Sequence, residues 1–540
     1  MVPEVKNESG AARGVARSVG LVSALTMVSR VLGLVREQVF AALLGDGHLA
    51  DAFQIAFRIP NLLRDLFAEG ALSAAFVPTY VQALIREGRE AAFRLARRLA
   101  TVVVLLLLAV VVLGVVFAGP LVTALAPGFR LTPGKVEATV LLTRVMMPFL
   151  PLVSLAALAM GMLNAEEKFG YPAFSPAMFN VATVAWGLVL LALSVPPEQV
   201  ALGWALGTLM GGAAQFLVQV PPLWKMGFRY RPDWAPMDPG LRQVGRLMAP
   251  ATIGLAAVQI NIFVNSYFAS YEPGAVSWLT YAFRILYLPI GVFGVAAGTV
   301  AASGLARRAA AGDLDGVRST LLRSLSMLAF LTLPATAGLL VLAEPIVRLL
   351  YERGQFNAAS TEGTAAALTC YTLGLCAYTG VKVLAPAFYA LGTPRVPLLA
   401  SGLAVATNLG VNLVLFRPFG FRAVAVGTAL GSIINAAFLA MVFERRVGGL
   451  RGQGLASRLL RMAVAALVMA PVAWLSAKAL GSALGSRGLM AQAVTGILPV
   501  VGGMVVYGAL AWLLKVPEAS ALIEVVRRRV GWKAKREPQA

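Results

Sequence analysis

Runs of about twenty apolar residues, separated by short polar breaks, recur along almost the whole chain. Of its 540 residues, 59% are hydrophobic and 13% are charged. A helix that crosses a bilayer needs about 20 apolar residues, so this pattern predicts an all-α polytopic membrane protein with about fourteen transmembrane helices. We place the spans at 18–44, 49–85, 98–126, 136–165, 171–195, 199–224, 243–270, 275–306, 319–351, 361–391, 395–416, 421–443, 459–480 and 488–514.

The net charge of +21 follows the membrane topology that these spans predict. With the N-terminus in the cytoplasm, most of the 46 lysines and arginines fall in cytoplasmic breaks and in the two tails, as the positive-inside rule requires. A nucleic-acid-binding protein would instead collect its basic residues on one surface of a soluble fold. We therefore expect both termini to be cytoplasmic and no nucleic acid to be a partner.

Several function classes find no support in the sequence. The breaks between spans reach on the order of 20 residues, which is shorter than an independently folding domain. No G-x-x-x-x-G-K-[ST] sequence occurs, and Cys370 and Cys376 lie on different faces of one predicted helix, so neither ATP hydrolysis nor a metal site is indicated. We expect a transporter rather than an enzyme. A polytopic membrane glycosyltransferase and a non-transporting scaffold are the alternatives from other classes.

A weak internal repeat divides the chain into halves. The sequence AFRI occurs at 56–59 and again at 282–285, and VAT occurs at 181–183 and again at 405–407, at nearly equal offsets. Because six spans separate the copies, both halves would cross the membrane in the same direction, with a substrate site between them. The predicted domains are a tail at 1–17, an N-lobe at 18–225, a linker at 226–242, a C-lobe at 243–447, two extra helices at 448–515 and a basic tail at 516–540.

The second span carries five charged residues in the stretch DAFQIAFRIPNLLRDLFAEG at 51–70. A charge at the bilayer centre costs about 2.5–3.5 kcal/mol, so this span cannot face lipid. Spans one, eight and ten add further charges, and the interior cations of these four spans outnumber the interior acids by six to four. The cations are Arg30, Arg36, Arg58, Arg64, Arg284 and Lys382, and the acids are Glu37, Asp51, Asp65 and Glu69.

This cationic surplus predicts a water-filled cavity that binds an anion. Arginine suits a diphosphate because its planar guanidinium donates two parallel hydrogen bonds and stays charged at any working pH. We expect Arg30, Arg36, Arg64 and Arg284 to bind it. For Arg58, Asp51 and Glu69 a structural role is the stronger alternative, and for Lys382 neutralisation of a helix end competes equally with binding.

The binding arginines also have structural alternatives. Arg30 lies seven residues before Glu37, on the same helix face, so the two could pair. Arg36 lies near the outer half of its span and could extend to the interface. Asp65 follows Arg64 directly but lies on a different helix face, so we expect Asp65 to leave Arg64 free to bind a ligand.

A candidate cation site lies in the later spans. Asn408 and Asn412 are one helical turn apart in span eleven, and Thr428 in span twelve can face them. Asn265 in span seven completes the candidate set. Hydrogen bonding between helices is the competing explanation, and we favour it.

Four stretches together resemble the MurJ/MviN lipid II flippases of the multidrug/oligosaccharidyl-lipid/polysaccharide exporter superfamily. They are SRVLGLVRE, DAFQIAFRIPNLLRDLFAEGALSAAFVP, VSWLTYAFRILYLPIGVFGVAAGT and VKVLAPAFYA. The resemblance implies a V-shaped, two-lobe transporter in the bacterial cytoplasmic (inner) membrane. It would move lipid II, the undecaprenyl-diphosphate-linked peptidoglycan precursor, to the periplasmic leaflet by alternating access. Essential family arginines match Arg30, Arg36, Arg64 and Arg284, and an essential acid matches Asp51.

The resemblance also implies that the last two spans form a groove for the polyprenyl tail. Two departures stand out: Phe283 replaces an acid found in many members, and Glu37 replaces an aspartate. A flippase for another polyprenyl-diphosphate-linked glycan and a drug/cation antiporter of the same superfamily are the alternatives. We expect no cofactor, transport driven by the membrane potential or a coupled cation, a monomer, and lipid II and membrane lipids as partners.

Overall fold

The computed structural model describes the backbone of residues 5–65, 71–449, 454–485 and 488–529. The side chains of these residues are described except at 5–19, 71, 73–74, 249–258 and 525–529. Within these ranges the regular structure is entirely helical, as the apolar pattern predicts. The chain divides into two compact units, the first comprising Met1–Ser277 with Arg353–Asn357, and the second Trp278–Glu352 with Ala358–Ala540.

The first unit is built from eleven helices within the described residues. A short 3₁₀ turn at Pro127–Leu131 joins the fifth to the sixth. The helices are α1 Val5–Leu44, α2 His48–Arg64, α3 Ala71–Arg86, α4 Arg89–Val116, α5 Ala118–Leu125, α6 Lys135–Met146, α7 Phe149–Ala165, α8 Gly170–Ala192, α9 Pro197–Leu217, α10 Val220–Lys225 and α11 Pro239–Ala269.

The second unit takes up the chain at Trp278, within its first helix. A π-helical segment at Ile290–Val295 separates that helix from the next one. The helices are α12 Ala275–Pro289, α13 Ala296–Ala310, α14 Leu314–Tyr351, α15 Ala358–Thr372, α16 Leu375–Ala390, α17 Arg395–Phe419, α18 Phe421–Arg446, α19 Leu455–Leu484, α20 Leu489–Leu513 and α21 Pro517–Arg529.

Ten spans among the described residues are long and apolar enough to cross a membrane. The number rises to 11 if α15 and α16, which meet at a 45° bend, form one broken span. The bent pair corresponds to the predicted span 361–391. The other predicted spans without such a helix, 18–44, 49–85 and 243–270, all include residues or side chains outside the described set. The count of fourteen therefore stays a prediction.

The first unit extends further along the chain than the repeat suggests. Helix α11, which the repeat assigns to the second half, packs against α3 and α4. Val244 near its beginning lies in one apolar core with Phe76 of α3, Phe93 of α4 and Met162 of α7. Packing therefore groups α11 with the first unit, whereas the predicted lobe boundaries describe sequence similarity and stay a prediction.

Two glycines allow the main chains of the first unit to approach closely near the end of α1. Gln355 donates its N–H to the carbonyl oxygen of Ala42 at 2.9 Å. Gly45 and Gly354 both have φ of +59°, a conformation that favours glycine. A Cβ added to Gly45 would lie 2.6 Å from the carbonyl oxygen of Gln355, so a larger residue would force the two segments apart.

In the second unit, α13 packs on α16 through small residues. A Cβ added to Gly298 would lie 2.5 Å from the carbonyl oxygen of Lys382, and one added to Gly294 would lie 3.1 Å from the Thr379 methyl carbon. Small residues four apart let helix backbones pack closely in membranes. This packing fixes the segment that follows Pro289 against α16.

Candidate substrate-binding site

Asp51 forms a fully buried anchor in the first turn of α2. Its Oδ2 accepts hydrogen bonds from Lys135 Nζ at 2.7 Å and from the Gly274 N–H at 2.9 Å. Its Oδ1 accepts from the N–H and the hydroxyl of Ser277, at 2.9 and 2.7 Å. Because the carboxylate has 0% exposure and four donors, its geometry fits a structural role. Its predicted role in substrate binding is not tested by this geometry.

Lys135 is the partner of Asp51 that sequence reasoning missed. Its side chain is 2% exposed, and its Nζ lies 4.2 Å from the centre of the Phe129 ring. Lysine stands at the first position of α6, where the helix dipole disfavours a cation. This unfavourable position could have indicated that Lys135 has a specific acid partner.

Arg36 in α1 pairs with the residue that follows it. Its Nη2 lies 2.5 Å from Glu37 Oε1, and its guanidinium carbon lies 5.1 Å from the centre of the Phe179 ring. The side chains of Arg36 and Glu37 are 16% and 10% exposed. The suggested alternative pairing of Arg30 with Glu37 is wrong, since Glu37 faces Arg36 and Arg30 forms no ion pair with any residue in the described ranges.

Arg64 at the end of α2 is more constrained than we expected. Its Nε and Nη2 donate to Asp65 Oδ1 at 3.1 and 2.8 Å. Gln259 Nε2 of α11 donates to Asp65 Oδ2 at 3.4 Å. The expectation from helix faces was wrong because a long arginine side chain can reach around the helix surface to its neighbour. Both side chains remain partly exposed, at 25% and 34%.

Arg58 occupies the middle of α2 and contacts α11. Its Nη1 donates to the hydroxyl of Ser266, which in turn donates to the carbonyl oxygen of Ile262 at 2.7 Å. Ser266 is fully buried. This contact supports the structural alternative for Arg58, although through a serine rather than through an aspartate on its own helix.

Three further predicted site residues are Arg30, Lys382 and Glu69. The side chains of Arg30 and Lys382 are exposed, and neither forms a hydrogen bond or ion pair in the part of the chain that the structure describes. Their positions in α1 and α16 are compatible with contact to water or a ligand. Glu69 lies outside the described residues.

Arg284 is exposed in the middle of α12 and lies beside aromatic residues. The ring of Phe283 lies 6.4 Å from that of Tyr287, 5.4 Å from that of Tyr371 and 6.3 Å from that of Tyr378. The family resemblance in the sequence implies an acid at this position, where this chain has Phe283. In this chain the neighbouring position therefore supplies a hydrophobic ring, not a counter-charge.

The candidate cation residues are divided between the two units. Asn408 and Asn412 are buried in α17, where Asn412 Nδ2 donates to the carbonyl and side-chain oxygens of Asn408 at 2.8 and 2.9 Å. Thr428 of α18 donates to Val424 O at 2.8 Å, and Gly427 packs against the asparagine pair. Asn265 belongs to the first unit. No cluster of three or more metal-binding His, Cys, Asp or Glu side chains occurs within the described ranges.

An apolar pocket of about 580 Å³ lies within the second unit. Its walls come from α14, α16 and α19, including Leu328, Leu333 and Leu459. Cys376 and Thr332 are among its few polar lining residues, and the Thr332 hydroxyl donates to the carbonyl of Leu328. The pocket can therefore accept a hydrocarbon chain without burying an unmet polar side chain.

Solved structures with the same fold are transporters. A lipid II flippase MurJ in an inward closed conformation matches with a TM-score of 0.75 and 24% identity, over 91% of this chain and 98% of that one. An inward-facing multidrug resistance MATE family transporter of the MOP superfamily matches with a TM-score of 0.65 and 16% identity, over 81% of this chain and 98% of that one. These matches define an all-helical membrane transporter fold.

Sequence comparison narrows this class to one family. The family model described as Lipid II flippase MurJ matches residues 40–493. A probable lipid II flippase MurJ of Rhizobium meliloti is 36% identical over 522 residues, which are 94% of this chain and 95% of the relative. The chain belongs to the MurJ family, which confirms the resemblance seen in the sequence.

Proposed function

We propose that the chain is a lipid II flippase of the bacterial inner membrane. It would move the undecaprenyl-diphosphate-linked peptidoglycan precursor from the cytoplasmic to the periplasmic leaflet by alternating access. The observation that carries this proposal is the family match over residues 40–493, whose description is that of a lipid II flippase. A flippase is a transporter, so we expect no chemical conversion of the precursor.

Arginines on three helices would bind the diphosphate. Arg30 of α1 and Arg284 of α12 are exposed, and a charge exposed within a membrane helix is stable only beside water or a ligand. Arg36 and Arg64 hold an acid neighbour each, which orients the guanidinium toward one side. A diphosphate carries more negative charge than one carboxylate and can compete with those acids for the guanidinium hydrogen bonds.

The pocket on α14, α16 and α19 supports a site for the polyprenyl tail. Its volume of about 580 Å³ and its leucine-rich lining fit part of an unsaturated hydrocarbon chain. The family resemblance implies a tail groove formed by the last two spans, whereas this pocket uses α19 together with α14 and α16. Because α19 belongs both to the implied groove and to this pocket, we propose that the polyprenyl tail packs against α19.

The energy source and topology complete the proposal. We propose that both termini are cytoplasmic, that the protein acts as a monomer, and that the membrane potential or a coupled cation drives transport. Moving one charge through 100 mV is worth about 2.3 kcal/mol. An inside-negative potential would therefore favour return of an empty carrier whose mobile region is cationic.

Reconstitution into vesicles of phosphatidylethanolamine and phosphatidylglycerol tests the function. Lipid II would be supplied with a membrane-impermeant reagent that modifies its headgroup, with and without an imposed potential. We expect the wild-type protein to expose new headgroup to the reagent, and Arg284→Ala to lose this activity. Arg395→Ala, which changes an exposed arginine at the start of α17, is the matched control and should transport normally.

The outcome also separates the alternative substrates. Transport of another polyprenyl-diphosphate-linked glycan without lipid II would identify a flippase of different specificity. Exchange of an organic cation for protons or sodium, with no effect on lipid II, would instead identify an antiporter and contradict the proposal. The interior arginines favour an anionic substrate over a cationic one.

A further inference from the structure

One face of α12 presents a cation and an aromatic ring together. Arg284 and Tyr287 are both exposed, and Tyr287 is 49% exposed. The opposite face holds Ala282 and Leu286, which are both 0% exposed. Side chains three residues apart on a helix lie about 5–6 Å from each other at Cβ. Tyr287 is therefore the neighbour, on this helix face, of the arginine that we assign to the diphosphate.

The aromatic neighbours hold the Tyr287 ring in place. Phe283, one turn earlier, packs against Tyr287 and rests edge-on against Tyr371 and Tyr378. Tyr371 is 4% exposed and gives this cluster a buried base. A ring supported in this way loses little conformational entropy when a ligand packs on it. The cluster is thus a preorganised apolar wall next to Arg284.

A polar group without a partner lies behind this wall. The Tyr378 hydroxyl is shielded from solvent and has no hydrogen-bond partner among the residues that the structure describes. A buried hydroxyl without a partner costs free energy, and such groups in native proteins call for an explanation.

The backbone at this place is also unusual. Pro289 ends α12, and the π-helical segment Ile290–Val295 follows directly. Single π-helical turns occur frequently at functional sites. Gly294 and Gly298 fix the segment against α16. The aromatic wall therefore stands on an irregular but closely packed stretch, which is a typical setting for a binding residue.

We propose that Tyr287 is a specificity-determining residue that stacks on the sugar linked directly to the diphosphate. The sugar is the group of the headgroup next to the diphosphate, just as Tyr287 is the side chain next to Arg284 on this helix face. The carbon-bound hydrogens of a pyranose give it an apolar face, and tyrosine offers both an apolar ring and a hydroxyl. The inference rests on the proposed function and names the part of the headgroup that this wall recognises.

Contact of Tyr287 with lipid tails is the competing explanation. Tyrosines at membrane interfaces commonly place their rings among headgroups. Here Arg284 lies on the same helix face, and a guanidinium among lipid tails is costly. The shared face therefore favours a polar ligand over lipid for Tyr287.

Binding of two probes to the purified full-length protein tests this assignment. One probe is undecaprenyl diphosphate, and the other is the same lipid carrying a single N-acetylated sugar on the diphosphate. We expect Tyr287→Ala to weaken binding of the glycosylated probe by about tenfold, in line with aromatic contact energies, and that of the bare diphosphate by less than about twofold. Tyr287→Phe should keep most of the affinity, and Arg284→Ala should weaken both probes.

Tyr389→Ala is the matched control, because Tyr389 is also exposed in the second unit but lies on α16 outside the cluster. If Tyr287→Ala folds poorly, Tyr287→Leu removes the ring and keeps apolar bulk. Equal weakening of both probes by either variant, or no weakening at all, would overturn the inference. Wild-type protein that binds neither probe would instead overturn the proposed function on which the inference depends.

Discussion

The two copies of the AFRI sequence give their arginines different neighbours. In α2, Arg58 donates to the buried hydroxyl of Ser266 on α11. In α12, Arg284 is exposed, and its neighbours Phe283 and Tyr287 belong to an aromatic cluster. The arginine of the same four-residue sequence thus contributes to packing in one copy and remains accessible in the other. Packing partners from other helices, more than local sequence, decide which role an interior arginine takes.

The positions seven residues before each arginine show the same contrast. Asp51 precedes Arg58, and Ser277 precedes Arg284. Ser277 donates two hydrogen bonds to the Asp51 carboxylate. Asp51 also holds Lys135 in a dry environment. The buried and firmly held residue is therefore Asp51, at the beginning of α2. The accessible residue is Arg284, which lies two turns after Ser277 in α12. Four substitutions can break or sharpen this comparison.

Removal of the Asp51 carboxylate should have the largest effect. Asp51→Ala leaves Lys135 buried without its counter-charge, and breaking a buried pair in this way costs about 3–5 kcal/mol. Denaturant unfolding in detergent measures the loss. The double variant Asp51→Asn with Lys135→Met removes both charges and should recover part of it. Wild-type stability for Asp51→Ala would show that Lys135 is not held by this ion pair.

Substitution of Arg284 should affect ligand binding instead of stability. Charged hydrogen bonds contribute about 1.5–3 kcal/mol, so Arg284→Ala should weaken binding of undecaprenyl diphosphate by roughly ten- to hundredfold. Arg284→Lys keeps the charge but loses the planar guanidinium, so its affinity should lie between those of the wild type and Arg284→Ala. The unfolding midpoint should stay close to that of the wild type. Unchanged binding would remove Arg284 from the proposed site.

An added methyl group at Gly298 should disturb the support of the accessible copy. In Gly298→Ala the new Cβ meets the main-chain oxygen of Lys382, and such overpacking costs about 1–3 kcal/mol. Gly410→Ala is a matched control, because no atom lies within 4 Å of a Cβ there. The control should be neutral or slightly stabilising. Equal effects of the two variants on thermal unfolding would contradict the close packing of α13 on α16.

Loss of the Ser266 hydroxyl should have the smallest effect. Ser266→Ala removes the acceptor of Arg58 and should lower the free energy of unfolding by about 1 kcal/mol. Binding of undecaprenyl diphosphate should be unchanged within the error of the assay. A large loss of binding together with unchanged stability would assign Arg58 to the ligand after all, and the two AFRI copies would then share one role.

Much of the fold could be predicted because membrane-spanning helices are recognisable in a sequence by their length and apolar composition. The ten apolar spans each correspond to a predicted one. The interior charges could also be identified, since any charge within an apolar run is conspicuous. Their partners could not. Reasoning along one helix face suggested Arg30 with Glu37 and an unconstrained Arg64, whereas the structure joins Glu37 to Arg36 and Arg64 to Asp65.

The partners of Asp51 lie beyond the reach of single-helix reasoning. Lys135 comes from α6, and the two N–H donors come from the beginning of α12. Such contacts depend on how helices far apart in sequence meet, and a repeat of a few residues does not specify that arrangement. The aromatic cluster around Phe283 was missed for the same reason, because Tyr371 lies in α15 and Tyr378 in α16, both far along the chain from α12.

The thiol of Cys376 gives the apolar pocket a natural chemical reporter. The chain has two cysteines, of which Cys376 lines the pocket, with its Sγ 3.5 Å from the Thr336 hydroxyl. A hydrocarbon chain inside the pocket would shield this sulfur from alkylation, whereas Cys370 on α15 lies outside the lining and serves as the internal reference. Occupancy by lipid can thus be followed by reagent kinetics without engineering a label into the protein.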